Sequence, residues 1–384
     1  MSEYQYYEFL AIDQPLTEVE MAALRGISSR AHITPVSFTN EYHWGDLKAN
    51  PIHLMERFFD AHVYVANWMT AIFMARLPIE ALSNETVGAM AESFVVNFKE
   101  TKNHWIITWR LDDSQDYDRF GMEDGRGWMA RLAPIREELL RGDLRSLYIG
   151  WLAAVTMEMV DDDEMEPISV NGLGSLTSAQ KALVGFLEVD EDLLAGAGMG
   201  SPDPQADGVS QKEMDAWFGG LPGDEVTAIL KQLLEGKGSL AERTLKNRFA
   251  AWRRGLRGGG IEAPRHTVGE LRENAEKAEK IRLEKQRREE MQREAKRRKE
   301  REAYLKSLSK DYSEAWKSVR TTVQRGSGLA YDEACRALVD LSQAYSLHAS
   351  GKRFQEELER FMADHLRRKA LIQRLVKAGI WNDK

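Results

Sequence analysis

The chain has 384 residues, 43% of them hydrophobic, one cysteine and a formal net charge of -8. That length suits two or three domains at roughly 150 residues each, and the apolar content is enough to bury a core. Cys335 alone excludes an internal disulfide framework, no apolar stretch reaches the roughly 20 residues of a spanning helix, and no leader pattern opens the chain, so a soluble cytoplasmic protein with no membrane partner is expected.

The N-terminal segment alternates element types. Tyr4–Ile12, "YQYYEFLAI", is aromatic and apolar, as strands prefer. Thr17 and Glu20 then sit at the spacing of a capping box and predict a helix start. "AHITPVSFTNEYHW" reads as extended and broken near Pro35. From Pro51 to Arg76 the pattern predicts one long helix, with "VYVANWMTAIFMARLP" as its buried part. Two β-rich runs, Phe94–Phe98 and Trp105–Trp109, flank "KETKNH" and predict a hairpin. Helices resume at "APIREELLRGDLRSLYIGWLAAVTMEM", with a break at Gly142 and Asp143. The fold class is therefore α+β: a small mixed-sheet N-terminal domain followed by a mainly helical remainder with one long charged helix and a C-terminal helical hairpin.

Composition sets the expected boundaries. Residues 1–195 form the mixed α/β domain. A Gly-, Pro- and Asp-rich linker covers 196–209 and a small helical module 210–256. A second linker covers 257–266, a long charged helix 267–325, and a hairpin of two helices 326–384, the helices read at Tyr331–His348 and Phe354–Ala378.

Charge divides the chain sharply. Residues 1–240 carry -21 and residues 241–325 carry +11. In the charged helix, Glu276–Lys280, Glu284–Arg288, Glu289–Arg293 and Glu294–Arg298 are spaced i,i+4 with the acid first. Such pairs stabilise an isolated helix by roughly 0.2–0.5 kcal/mol each. Val268, Leu271, Ala275 and Ala278 begin a coiled-coil seam, but Arg282, Lys285, Glu289 and Gln292 end it. A solvated spacer is the leading reading, ahead of a phosphate-binding face and of an arm that folds back on the acidic N-terminal domain. Arg287, Arg288, Lys296, Arg297, Arg298, Lys299 and Arg301 are the candidate phosphate contacts if the helix binds nucleic acid.

Reactive constellations are weak. His53, Glu56, Asp60 and His62 share a short stretch with metal-ligand side chains, but no second Glu-x-x-His helix accompanies them. Asp161, Asp162, Asp163 and Glu164 lack the spacing of a calcium loop and read as an acidic surface loop. Cys335 sits at an apolar helical position and reads as a packed thiol beside Leu338 and Leu341. "GAGMGS" has no preceding strand and no Lys-Ser/Thr after it, so it is no phosphate-binding loop. No catalytic, cofactor or metal residue is expected.

"LPGDEVTAILKQLLEGKG", "GLGSLTSAQKALVGFLEVDEDLLAGA" and the pairing of "REAYLKSLSKDYSEAWKSV" with the C-terminal helices resemble a family of uncharacterised bacterial proteins. The C-terminal portion is also similar to the C-terminal helices of some bacterial SWIM zinc-finger proteins. The SWIM zinc arrangement needs several cysteines, and this chain has one. The resemblance implies work beside nucleic-acid-handling machinery. The expected role is a non-enzymatic adaptor with a protein partner. The alternatives are a nucleic-acid-associated accessory protein and an enzyme with a site in the N-terminal domain.

Overall fold

The computed structural model describes residues 3–91, 93–112, 125–199, 210–236, 238–256 and 265–382. They form two compact units, 1–281 and 282–384.

In the first unit seven strands make one sheet in the order β2-β3-β1-β4-β5-β7-β6. They are β1 (Gln5–Leu10), β2 (His32–Thr34), β3 (Ser37–Tyr42), β4 (Ala61–Ala66), β5 (Thr70–Pro78), β6 (Val96–Glu100) and β7 (His104–Leu111). The α+β class holds. The sheet expected to be mixed is antiparallel at every pairing. Its neighbours in sequence, β2–β3, β4–β5 and β6–β7, are joined by short turns, which only antiparallel partners allow.

Three sequence expectations are met directly. Tyr4–Ile12 supplies β1, the Thr17–Glu20 capping box opens α1 (Glu18–Ile27), and the predicted hairpin is β6–β7. The long helix from Pro51 to Arg76 is corrected. Helix α2 (Pro51–Arg57) starts as read, with Asn50 capping Ile52 N–H and Pro51 in the first turn, but stops at Phe58. The chain then enters the β4–β5 hairpin. All six residues of β4 are buried, so its apolar run shows no alternation to set it apart from a buried helix.

Helix α3 (Asn84–Met90) precedes β6. After β7 come α4 (Trp128–Leu132), α5 (Pro134–Leu140), α6 (Arg145–Thr156), α7 (Ser178–Phe186) and α8 (Glu191–Ala197). These helices and one sheet face enclose the larger core, around Trp109, Tyr148, Leu152 and Phe186. Gly150 lets α6 lie on the sheet, since a Cβ there would run into Val96 and Trp109. The other face carries a second, aromatic core under α1 and α2, around Phe9, Phe38, Phe59 and Tyr64. The 210–256 module is three helices, α9 (Gln211–Gly219), α10 (Gly223–Leu234) and α11 (Gly238–Leu256). The linkers read at 196–209 and 257–266 lie mostly outside the described residues.

Helix α12 runs from Val268 to Leu308. The long helix read to residue 325 is therefore shorter: 41 residues, about 61 Å at about 1.5 Å per residue. Asp311 accepts from Glu314 N–H and caps a separate helix, α13 (Tyr312–Gln324). The terminal hairpin is likewise corrected, because its second arm is two helices. They are α15 (Gly351–Ala363) and α16 (Lys369–Lys377), after α14 (Gly328–His348). Trp316, Leu338, Leu341, Phe354, Phe361 and Leu371 form this unit's core.

Candidate functional site: the charged helix and the surfaces around it

The first turns of α12 belong to the first unit's core. Val268 and Leu271 are wholly buried, and Ala275 packs against the same cluster. A Cβ on Gly196 of α8 would lie 2.6 Å from the Ala275 nitrogen, so the two helix backbones nearly touch. The apolar seam read at Val268–Ala278 is thus the root of the helix, used within one chain.

The acidic stretch before it has a structural task. The Asp162 and Glu164 carbonyls accept from Gly269 N–H (2.9 Å) and Val268 N–H (2.9 Å), groups a helix start leaves without an internal partner. Asp162 pairs with Arg272 at 3.2 Å. Thr267 and Glu270 add a reciprocal cap. Beneath them the buried Glu166 accepts from Tyr148 Oη–H and from His266 N–H (3.0 Å). The side chains of Asp161, Asp163 and Glu164 face solvent, as an acidic surface loop should.

Residues 283–300 are exposed on every side. Glu276 and Lys280 approach to 3.9 Å and Glu284 bonds Arg288. Arg298 turns forward to Glu302 (3.9 Å) and not back to Glu294, while Lys296 meets Glu300 at 4.0 Å. These pairs are all more than 60% exposed, where each contributes little. Of the seven candidate phosphate contacts, Arg301 is taken into the second unit by Asp340 and by Gln343 at 2.6 Å. Arg288, Lys296 and Arg298 lie beside acids. Arg287, Arg297 and Lys299 project to solvent. At about 100° per residue, Arg287 and Arg298 share one side, Arg297 lies about 80° from Arg287, and Lys299 about 160° from Arg297. The structure does not gather the seven onto one stripe.

The group His53, Glu56, Asp60 and His62 is dispersed. His53 is exposed, Glu56 pairs with Lys99 at 2.7 Å, and His62 is sealed in the aromatic core. Among the described residues no group of three His, Cys, Asp or Glu could hold a metal ion. Asp60 is the hub of a buried charge cluster. It accepts from Ile12 N–H (2.6 Å), Asp13 N–H (2.8 Å) and Arg76 Nε and Nη2 (3.2 and 2.8 Å). Arg136 Nη2 stands 3.8 Å from Asp60 and 2.6 Å from Asp13. Burial alone would push the Asp60 carboxyl up; the Arg136 and Arg76 guanidiniums and the donated N–H groups bring it below the usual carboxylate range. Charge balance and tight bonding make this a fastening of β1, β4, β5 and α5. A crevice of about 540 Å³ lies next to it, lined by Ile12, Ala133, Glu137, Arg141, Glu242 and Lys246 among others.

Cys335 is half-buried against the second unit's core, its thiol 3.6 Å from the Arg374 carbonyl. Burial, then Asp332, pushes the thiol up, away from the reactive thiolate.

One surface feature escaped the sequence reading. On α10, Val226, Leu230, Leu233 and Leu234 are 37%, 54%, 48% and 89% exposed, while Ile229 faces inward. Spacings of four, seven and eight put the exposed four on one side of the helix. The signal is present in "VTAILKQLL", but amphipathic periodicity alone gives no sign of which apolar residues are left uncovered. Nearby, Phe218 of α9 is 55% exposed. No helix among the described residues is long and apolar enough to cross a membrane. Compared with known proteins, the chain matches no family model, no curated protein and no solved structure.

Proposed function

We propose that this protein is a non-enzymatic adaptor that acts through helical protein–protein contacts. The observation that carries the reading is the uncovered apolar stripe Val226–Leu230–Leu233–Leu234 on α10. Contiguous exposed apolar side chains are costly in water and mark interaction sites. Apolar anchors at helical spacing fit a helix-in-groove or helix-on-helix contact with a protein partner. The charged helix supports the same reading. It is solvated along residues 283–300 and rooted at each end by buried residues, Leu271 in the first unit and Leu305 in the second.

The test is affinity capture at native salt of the wild-type chain and of Leu230→Asp/Leu234→Asp, with quantitative mass spectrometry of bound protein and nucleic acid. A protein captured by the wild type and lost from the variant, with unchanged circular dichroism, supports the adaptor. Equal capture by both, or capture of nucleic acid alone, overturns it.

A further inference from the structure

We infer that the aromatic side of the N-terminal sheet is an acid-release device, in which a proton on His62 detaches the α1–α2 layer while the opposite helical layer stays closed. His62 is the sole buried histidine among the described residues. It pairs with Phe9 across β1–β4 and with Met74 across β4–β5. Its ring stacks on Phe9 at 3.9 Å and lies 6.2 Å from Tyr7. Nδ1–H donates to the Glu8 carbonyl at 3.0 Å, and Nε2 is buried with no hydrogen-bond partner. A proton added at Nε2 would be a full charge with no acceptor inside an aromatic core.

No neighbouring element supplies a counter-charge. From β1 and β4 the titratable groups facing the imidazole are Tyr7 and Tyr64, which burial pushes up, so both are neutral in acid. Asp46 is bonded to Tyr7, and Asp60 to Arg76. The Glu8 carboxylate bonds Tyr6. From α1 the cluster receives Leu24, with Glu20 and Arg25 outside; from α2 it receives Leu54 and Met55, with Glu56 held by Lys99 and Arg57 at the surface. β5 contributes Met74, and β3 contributes Phe38.

Burial holds the imidazole down at about 3, the Glu8 carbonyl opposing. A histidine in an opened layer titrates near 6.5. The opened state therefore binds the proton more tightly, so closure is fully favoured above about pH 6.5 and weakens as pH falls towards 3. From pH 7 to pH 4 the opening constant rises roughly 200-fold. The α1–α2 layer is the part able to respond. It is two short helices of 10 and 7 residues, and such layers open more readily than a whole domain.

The experiment is hydrogen exchange of the full chain at pH 7 and pH 4, corrected for intrinsic rates, in wild type and His62→Leu, with the His62 imidazole followed by NMR. The wild type should lose protection in α1 and α2 by roughly 200-fold more than in α6, and His62→Leu should not. Equal acid losses in wild type and variant, or simultaneous loss in α6, would overturn the proposal. If His62→Leu does not fold, the NMR titration decides: an imidazole that protonates near 6.5 with α1 and α2 still protected overturns it, and one that stays neutral until they open supports it.

Discussion

Replacing Asp60 by Asn tests whether the buried charge cluster is a fastening. The carboxylate is 1% exposed and accepts four N–H bonds between 2.6 and 3.2 Å, two from Arg76 and two from the main chain of residues 12 and 13. An amide keeps the shape but loses the charge, and its NH2 group points a donor at other donors. Arg76 and Arg136, the latter also 1% exposed at its side chain, would be left with Asp13, 2.6 Å from Arg136, and the half-buried Glu137 at 3.9 Å for balance. Removing one partner from a buried pair costs about 3–5 kcal/mol, most of it the penalty of the charge left behind. With urea slopes of about 2–3 kcal/mol/M, the unfolding midpoint should fall by roughly 1–2 M. Asp60→Asn/Arg136→Met should recover at least about 1 kcal/mol of that loss, because the orphaned charge goes too. The acid limb gives a second readout. The folded carboxyl lies below its unfolded value, so its stabilisation is present above about pH 4 and lost as pH falls through the folded value. Asp60→Asn should flatten that limb. A destabilisation under about 1 kcal/mol, or strict additivity in the double variant, would refute the reasoning.

At the root of the charged helix, Gly196→Val should cost at least about 1–3 kcal/mol in urea unfolding, since a side chain there meets the α12 backbone and backbone cannot step aside. A peptide of residues 282–302 should give a helical circular dichroism spectrum at low temperature that declines modestly with salt; a coil spectrum would remove the spacer reading. Nucleic-acid binding, if it occurs, should be micromolar or weaker at physiological salt, fall steeply with salt, and vanish in Arg287→Glu/Arg297→Glu/Lys299→Glu, with fluorescence anisotropy as the readout. Cys335 should react slowly with a thiol reagent in the folded protein, and Cys335→Ala should leave the unfolding free energy within about 1 kcal/mol.

Local chemistry carried much of the architecture. Thr17–Glu20, the "KETKNH" turn and Gly142 each announce an element boundary within a few residues, and each boundary is where the sequence puts it. Burial from both sides hides the rest. β4 is covered on both faces, so "AHVYVA" loses the alternation that marks a strand and merges with the helix before it. The end of α12 carries no Gly or Pro; its signal is Asp311 three residues ahead of Glu314, a cap pattern that a continuous charged sequence masks. The second break, between α15 and α16, falls in "DHLRRK", again without a breaker residue. The basic side chains of the charged helix were legible one by one. Their dispersion around the helix and the capture of Arg301 by Asp340 depend on helix phase and on a residue 39 positions away.

The rooting of α12 also dictates when the N-terminal unit can finish during translation. A nascent chain of 199 residues already holds all seven strands and α1–α8, yet it lacks Val268, Leu271 and Ala275, which complete the larger core. It also lacks His266, whose amide reaches back 100 positions to Glu166. At about 5–20 residues per second, the ribosome needs roughly 4–14 s to deliver the intervening stretch. Through that interval the Glu166 carboxylate has only Tyr148 among these partners, and the Gly196 face of α8 lacks the Asn274–Ala275 backbone that lies against it. The unit therefore stays nearly built and partly open until the first turns of α12 arrive to close it.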